Sequence, residues 1–83
     1  MYEVFFTERA RDQLGKLPRE DRERISRAIE RARFRPFDYF IRLVGDSAHK
    51  LRVGNYRIIA DIDGKKLVIL VLRVAHRKNV YDL

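Results

Sequence analysis

The 83 residues predict an α+β fold: an N-terminal strand, two antiparallel helices, then a three- to four-stranded antiparallel sheet region, with the helices on one face. Three observations predict it. Apolar residues recur at helical spacing between residues 8 and 35, and at a period of two between residues 50 and 60. Two dipeptides with turn chemistry, Gly54-Asn55 and Asp63-Gly64, divide the C-terminal half into hairpins. The length leaves no room for a second core, so residues 1–83 are expected to form one domain.

The elements follow in order. Residues 2–6, YEVFF, alternate as a strand with Tyr2, Val4 and Phe6 on one face. Thr7 is placed to cap a helix running to about Lys16, with Ala10, Leu14 and Leu17 as its apolar stripe. Gly15 and Pro18 mark the break, and Pro18 opens a second helix whose Glu20 and Asp21 complement the positive end of its dipole. Ile25, Ala28, Ile29 and Ala32 form the buried stripe of that helix, while Glu20–Arg24 and Glu23–Arg27 are spaced to pair on its outside. Acids interrupt the arginine row from Arg22 to Arg35, which therefore reads as a solvated face. Pro36 ends the helix. The segment FDYFIRLVGDSA is expected to be a connection that tucks Phe37, Phe40 and Leu43 against the core. YRIIADI and KKLVILVLRVA then pair through a two-residue Asp63-Gly64 turn, and the six apolar residues 67–72 predict a central strand.

Composition narrows the function. There is no cysteine, which excludes disulfides and thiolate zinc sites; no metal and no cofactor is expected. The longest apolar run, residues 67–72, is far too short to span a bilayer, and no basic region followed by a long apolar stretch opens the chain, so a cytoplasmic protein without a membrane partner is expected. Nineteen Lys and Arg against twelve Asp and Glu give a net charge of +7. That charge is unevenly spread: residues 1–47 carry a net +2 and residues 48–83 a net +5. Fourteen of the basic residues are arginine, whose planar fork matches phosphate oxygens.

The hairpin HKLRVGNYRII concentrates the charge. Alternation places Leu51, Val53, Tyr56, Ile58 and Ala60 on an apolar face, and Lys50, Arg52 and Arg57 on the other. A two-residue Gly54-Asn55 turn sets Arg52 directly opposite Arg57, where like charges repel. Arg73 in the apolar strand also needs a partner, and His76, Arg77, Lys78 and Tyr81 follow as that strand leaves the sheet. One reading is a salt-bridge network, with Asp61 pairing Arg57 or Arg52. Nearby acids are too few to neutralise the group, however, and a bound phosphate would turn the repulsion into charge-assisted hydrogen bonds.

KLRVGNYRII, followed by a hairpin, a long apolar strand and HRKNVY, resembles the RelE branch of the RelE/ParE superfamily of bacterial and archaeal toxins. YEVFFTERARDQLGKL is similar to that family's opening strand and helix, so the resemblance covers nearly the whole chain. It implies a microbial-ribonuclease-like fold and a ribosome-dependent endoribonuclease that cuts mRNA in the A site, restrained by a RelB-like antitoxin. It also implies roles. Lys50 would stabilise the phosphorane, Arg52 would hold RNA backbone and Arg57 would clamp the scissile phosphate. Arg77 would stabilise or protonate the leaving group, and Tyr81 would stack on or orient a base. Arg73, His76 and Lys78 would add RNA contacts. One departure stands out: where some members carry a second lysine, proposed as general base, this chain has Ala48. The base is left open, with His76 an alternate for proton transfer and weak activity an expectation. Two other readings stay open: a ParE-like gyrase inhibitor without nuclease activity, and a plain basic nucleic-acid-binding module.

Overall fold

The computed structural model describes residues 1–76. Along the chain run β1 (Glu3–Phe6), α1 (Glu8–Gly15), α2 (Arg19–Ala32), α3 (Pro36–Tyr39), β2 (Ile41–Arg42), β3 (His49–Val53), β4 (Tyr56–Asp63) and β5 (Val68–His76). The strands form one five-stranded sheet in the order β1-β5-β4-β3-β2. β2 to β5 are antiparallel, as the hairpin signals require for β3, β4 and β5, and β1 lies parallel to β5. The apolar run thus occupies a strand paired on both sides.

The core lies between α1, α2 and one face of the sheet. Ala10, Ile25, Ile29 and Ala32 meet Leu51, Val53, Ile58, Ala60, Ile69, Val71 and Val74, with Tyr2, Val4 and Phe6 packed against them. Burying each large aliphatic side chain stabilises by about 1.5–3 kcal/mol. A one-residue slip of β3 and β4 would exchange this set for the cations, so the register is strongly specified. Thr7 caps α1 as expected, accepting from the Ala10 N–H at 3.0 Å. On α2 the outer arginines are tied locally: Arg19 and Arg27 to Glu23, Arg33 to Glu30. Arg24 does not pair with Glu20; its guanidinium lies over the β3–β4 turn, where a Cβ on Gly54 would come within 2.9 Å of it.

Three local expectations need correction. The segment after Pro36 is not a plain connection, since it forms the single turn α3 and the edge strand β2. Pro36 and Phe40, four apart and on one side of that turn, are buried, and Phe37 is left 56% exposed. The β4–β5 connection is also longer than two residues. Asp63 pairs with Val68, and residues 64–67 turn because the Asp63 carboxylate accepts from the N–H groups of Lys65 (2.9 Å) and Lys66 (3.0 Å). Leu67, at φ 56°, takes the left-handed position that the Asp63-Gly64 signal had suggested for glycine. β5 therefore starts at Val68, not at Lys65.

A bulge in β5 then decides which way its arginine points. Ile59 pairs with Arg73 but Ala60 pairs with Val71, which leaves Leu72 as an extra residue. Strict alternation from Ile69 and Val71 would carry Arg73 into the core. The extra residue inverts the phase, so Val74 enters the core and Arg73 joins the opposite face. The backbone groups released by the bulge find partners on and beside α1. Thr7 donates its hydroxyl to the Leu72 carbonyl at 2.8 Å, and Gln13 Oε1 accepts from the Val74 N–H at 2.8 Å.

Candidate functional site

The face turned away from the helices carries two rows across the strands. Ile41, Lys50, Ile59 and Arg73 face one another on β2, β3, β4 and β5, and beside them Arg52, Arg57 and Ala75 do the same. Arg52 and Arg57 are Cα partners, as the turn chemistry predicts. Lys50 and Arg73 are both diagonal to Arg57, about 7–8 Å away between Cβ-bearing positions. Ile59 and Ala75 are buried although they belong to this open face. Their cross-strand neighbours are the cations, whose aliphatic stems are spaced to cover them while the charged ends stay in water.

Among the described residues no carboxylate lies within salt-bridge distance of Lys50, Arg52, Arg57 or Arg73. The proposed Asp61 pairing with Arg57 or Arg52 does not form. Next to the cations opens a cleft of about 380 Å³, walled by Asp38, Tyr39, Ile41, Lys50, Arg52 and Arg57. The Asp38 carboxylate there is 3.4 Å from Arg35 Nε. A dense set of unpaired donors on a rigid sheet can hold an anion with no loop rearrangement, and guanidinium groups bind phosphate in two-pronged fashion.

The other expected site residues fall elsewhere. His76 faces the helices: its ring meets Tyr56 edge to face at 5.1 Å, on the side of the sheet opposite the cations. The Tyr56 hydroxyl donates to Asp21 Oδ2 of α2 at 2.8 Å, and that bond, with the negative charge it faces, raises the phenol pKa. His49 alternates to the helix side as expected and touches Phe37 at 5.6 Å, with its Nδ1 buried and without a hydrogen-bond partner. Ala48 is buried, so the position of the missing lysine is filled by a methyl group. Arg77, Lys78 and Tyr81 lie outside the described residues. Among the described residues no three His, Cys, Asp or Glu side chains cluster as metal ligands, and no helix is long and apolar enough to cross a membrane. Tyr39 and Ile41 were missed by the sequence reading. Their only signal was an aromatic and an aliphatic residue flanking the buried Phe40, a pattern common to many loops.

Known proteins share this architecture. Residues 4–81 match the family described as the ParE toxin of the type II toxin–antitoxin system parDE. A 34-residue stretch is 47% identical to Toxin RelE3 of Methanocaldococcus jannaschii, covering 41% of this chain and 36% of that protein, so the match spans about a third of that relative's length. Among solved structures, the toxin–antitoxin complex RelBE2 of Mycobacterium tuberculosis contains a similar chain, with 30% identity, TM-score 0.83, and 92% of this chain and 98% of that one covered. The isolated RelE toxin of E. coli aligns at TM-score 0.80 with 26% identity, over 99% and 93% of the two chains. The structural similarity, the length and the sequence match over nearly the whole chain agree, and this protein belongs to the ParE/RelE toxin family of type II toxin–antitoxin systems.

Proposed function

We propose that this toxin is a ribosome-dependent endoribonuclease that cleaves mRNA in the A site and is held inactive by a RelB-like antitoxin. The observation that carries the reading is the group Lys50, Arg52, Arg57 and Arg73, without a carboxylate partner among the described residues, on one open sheet face beside a cleft. RNA cleavage of this kind requires in-line attack of a 2′-OH on the adjacent phosphorus, stabilisation of the charge that develops on the phosphorane, and a proton for the leaving 5′-oxygen. In this reading Lys50 and Arg57 hold the equatorial oxygens, and Arg52 and Arg73 bind flanking phosphates. Arg77 and Tyr81 are assigned the leaving group and a base by resemblance. Because Ala48 is buried and His49 and His76 face the helices, none of these three described positions gives the cleft a base. The acceleration assigned to the described residues is therefore electrostatic and positional, with the A site supplying the alignment of the RNA. The complexes of RelB with RelE from Methanococcus jannaschii and of RelBE2 support an antitoxin as partner.

Primer extension on mRNA with and without programmed ribosomes tests this reading. Wild-type protein is expected to cut within the A-site codon only when ribosomes are present, and Arg57→Ala to lose the cuts while remaining folded. The family's ParE description favours one second reading, inhibition of DNA gyrase without chemistry. In that case folded wild-type protein gives no cuts but blocks supercoiling, and Arg57→Ala blocks it equally well.

A further inference from the structure

The cation cleft has an apolar wall that phosphate binding does not use. The single turn α3 is anchored by Pro36 and Phe40, both buried, and the Phe40 N–H donates to the Pro36 carbonyl at 2.7 Å. Of the three residues between those anchors, Tyr39 borders the cleft and is 42% exposed. Among the described residues the ring has no aromatic partner and its hydroxyl no hydrogen bond. Ile41, opposite Lys50 on the edge strand, is 63% exposed. Single exposed apolar residues are ordinary on protein surfaces. Two of them on the rim of a cleft walled also by Lys50, Arg52 and Arg57, together with Asp38 and Leu51, form a different combination. Proteins that hold single-stranded nucleic acid combine cations for the backbone with exposed rings for the bases.

Both groups line one cleft. β2 and β4 are separated by β3, and Arg57 stands two residues along β4 from the row that holds Ile41, Lys50 and Ile59, so the Ile41 and Arg57 backbone positions lie about 12 Å apart across it. A ring fixed at the end of an anchored turn also loses little entropy when a base stacks on it, because the backbone is already ordered.

We infer that Tyr39, supported by Ile41, is a base-stacking platform of the cation cleft, taking the nucleobase whose phosphate is bound by Lys50, Arg52 and Arg57. The inference rests on the RNA-binding reading of that face and deepens it by assigning a nucleobase contact on the β2 side, separate from the one assigned to Tyr81. The contact is sequence-tolerant, since every base presents a π-face, and it requires a single-stranded, unstacked nucleotide.

The chain contains no tryptophan, so Tyr39→Trp introduces a single indole reporter at the cleft. The probes are a 2′-O-methylated oligoribonucleotide, which cannot be cleaved, and an oligonucleotide of the same length and charge with abasic residues, both at low ionic strength. The expected result is quenching of the indole by the base-bearing probe alone. Tyr39→Ala is expected to weaken the base-bearing probe roughly 5- to 150-fold, Tyr39→Phe to restore it, and the abasic probe to bind wild type and Tyr39→Ala equally. Arg57→Ala is expected to weaken both probes. If the base-bearing probe binds in an Arg57-dependent way without quenching the indole, or if Tyr39→Ala weakens both probes alike, the platform is overturned and the phosphate face stands. If wild-type protein binds neither probe, both fall together.

Discussion

Replacing Arg57 by methionine should stabilise the fold while removing the side chain proposed to clamp phosphate. Methionine keeps an unbranched apolar stem over Ile59 and Ala75 and removes the guanidinium. The geometry sets the size of the effect. Arg52 is the direct cross-strand neighbour of Arg57, and Lys50 and Arg73 are its diagonal neighbours. With charged ends about 6 Å apart, one like-charged pair costs about 0.7 kcal/mol at the dielectric of water, and each diagonal pair at about 8 Å adds about 0.5 kcal/mol. At 0.01 M salt, where the Debye length is about 30 Å, most of that repulsion survives, so Arg57→Met should gain about 1.4 kcal/mol. For a domain of this size that corresponds to a rise of about 6–11 °C in Tm. At 1 M salt the Debye length is about 3 Å and the gain should nearly vanish. Melts of wild type and Arg57→Met followed by circular dichroism at the two salt concentrations measure this directly. A variant that melts below wild type at low salt, or a difference insensitive to salt, would refute the idea that these cations strain the folded chain and await an anion.

Three further outcomes are expected. Gln13→Leu leaves the Val74 N–H at the bulge without its acceptor and should cost about 1–3 kcal/mol, read as a lower urea midpoint at unchanged m, whereas Gln13→Glu should be nearly neutral. Tyr56→Phe removes the bond to Asp21 and should cost about 1 kcal/mol at pH 7. Because the Tyr56 pKa is raised in the folded state, that stabilisation is complete below pH 10 and is lost as pH climbs through the raised value, so the wild-type and Tyr56→Phe melting curves should converge only in strong alkali. Asp63→Ala should lower Tm at neutral pH by opening the β4–β5 turn. The N–H groups of Lys66 and Lys65 hold the Asp63 pKa below 3.8, so its contribution is present above about pH 4 and disappears as pH falls through the depressed value; melts from pH 7 to pH 2 should show the gap closing.

Much of this molecule can be read from residue order because the signals involved are local. Thr7, Pro18 and the stripe Ile25, Ala28, Ile29 and Ala32 specify two helices through capping, a fixed φ and periodicity, each acting within a turn or two. Gly54-Asn55 with alternation around it specifies the register that sets Arg52 against Arg57 and sends both away from the core. The family resemblance rests on that same stretch, and the match over residues 4–81 agrees with it.

Where local signals conflict or fall silent, only packing decides. Asp63-Gly64 has the chemistry of a two-residue turn, yet the carboxylate of Asp63 finds two N–H donors in a wider one, a competition that a dipeptide cannot reveal. Tyr39 joins the cleft because Pro36 and Phe40 bury on either side of it, which depends on the shape of the core beneath. The clearest case is β5. A strand that is apolar on both faces has no period to read, so the sequence by itself determined that Arg73 lies in a central strand but not which face it takes. The bulge at Leu72, satisfied by Thr7 and Gln13 more than sixty residues earlier, turned it toward the cations. Sequence set the charges and the turns; the tertiary structure put four of those charges on one surface, because only there could the core close beneath them without burying one.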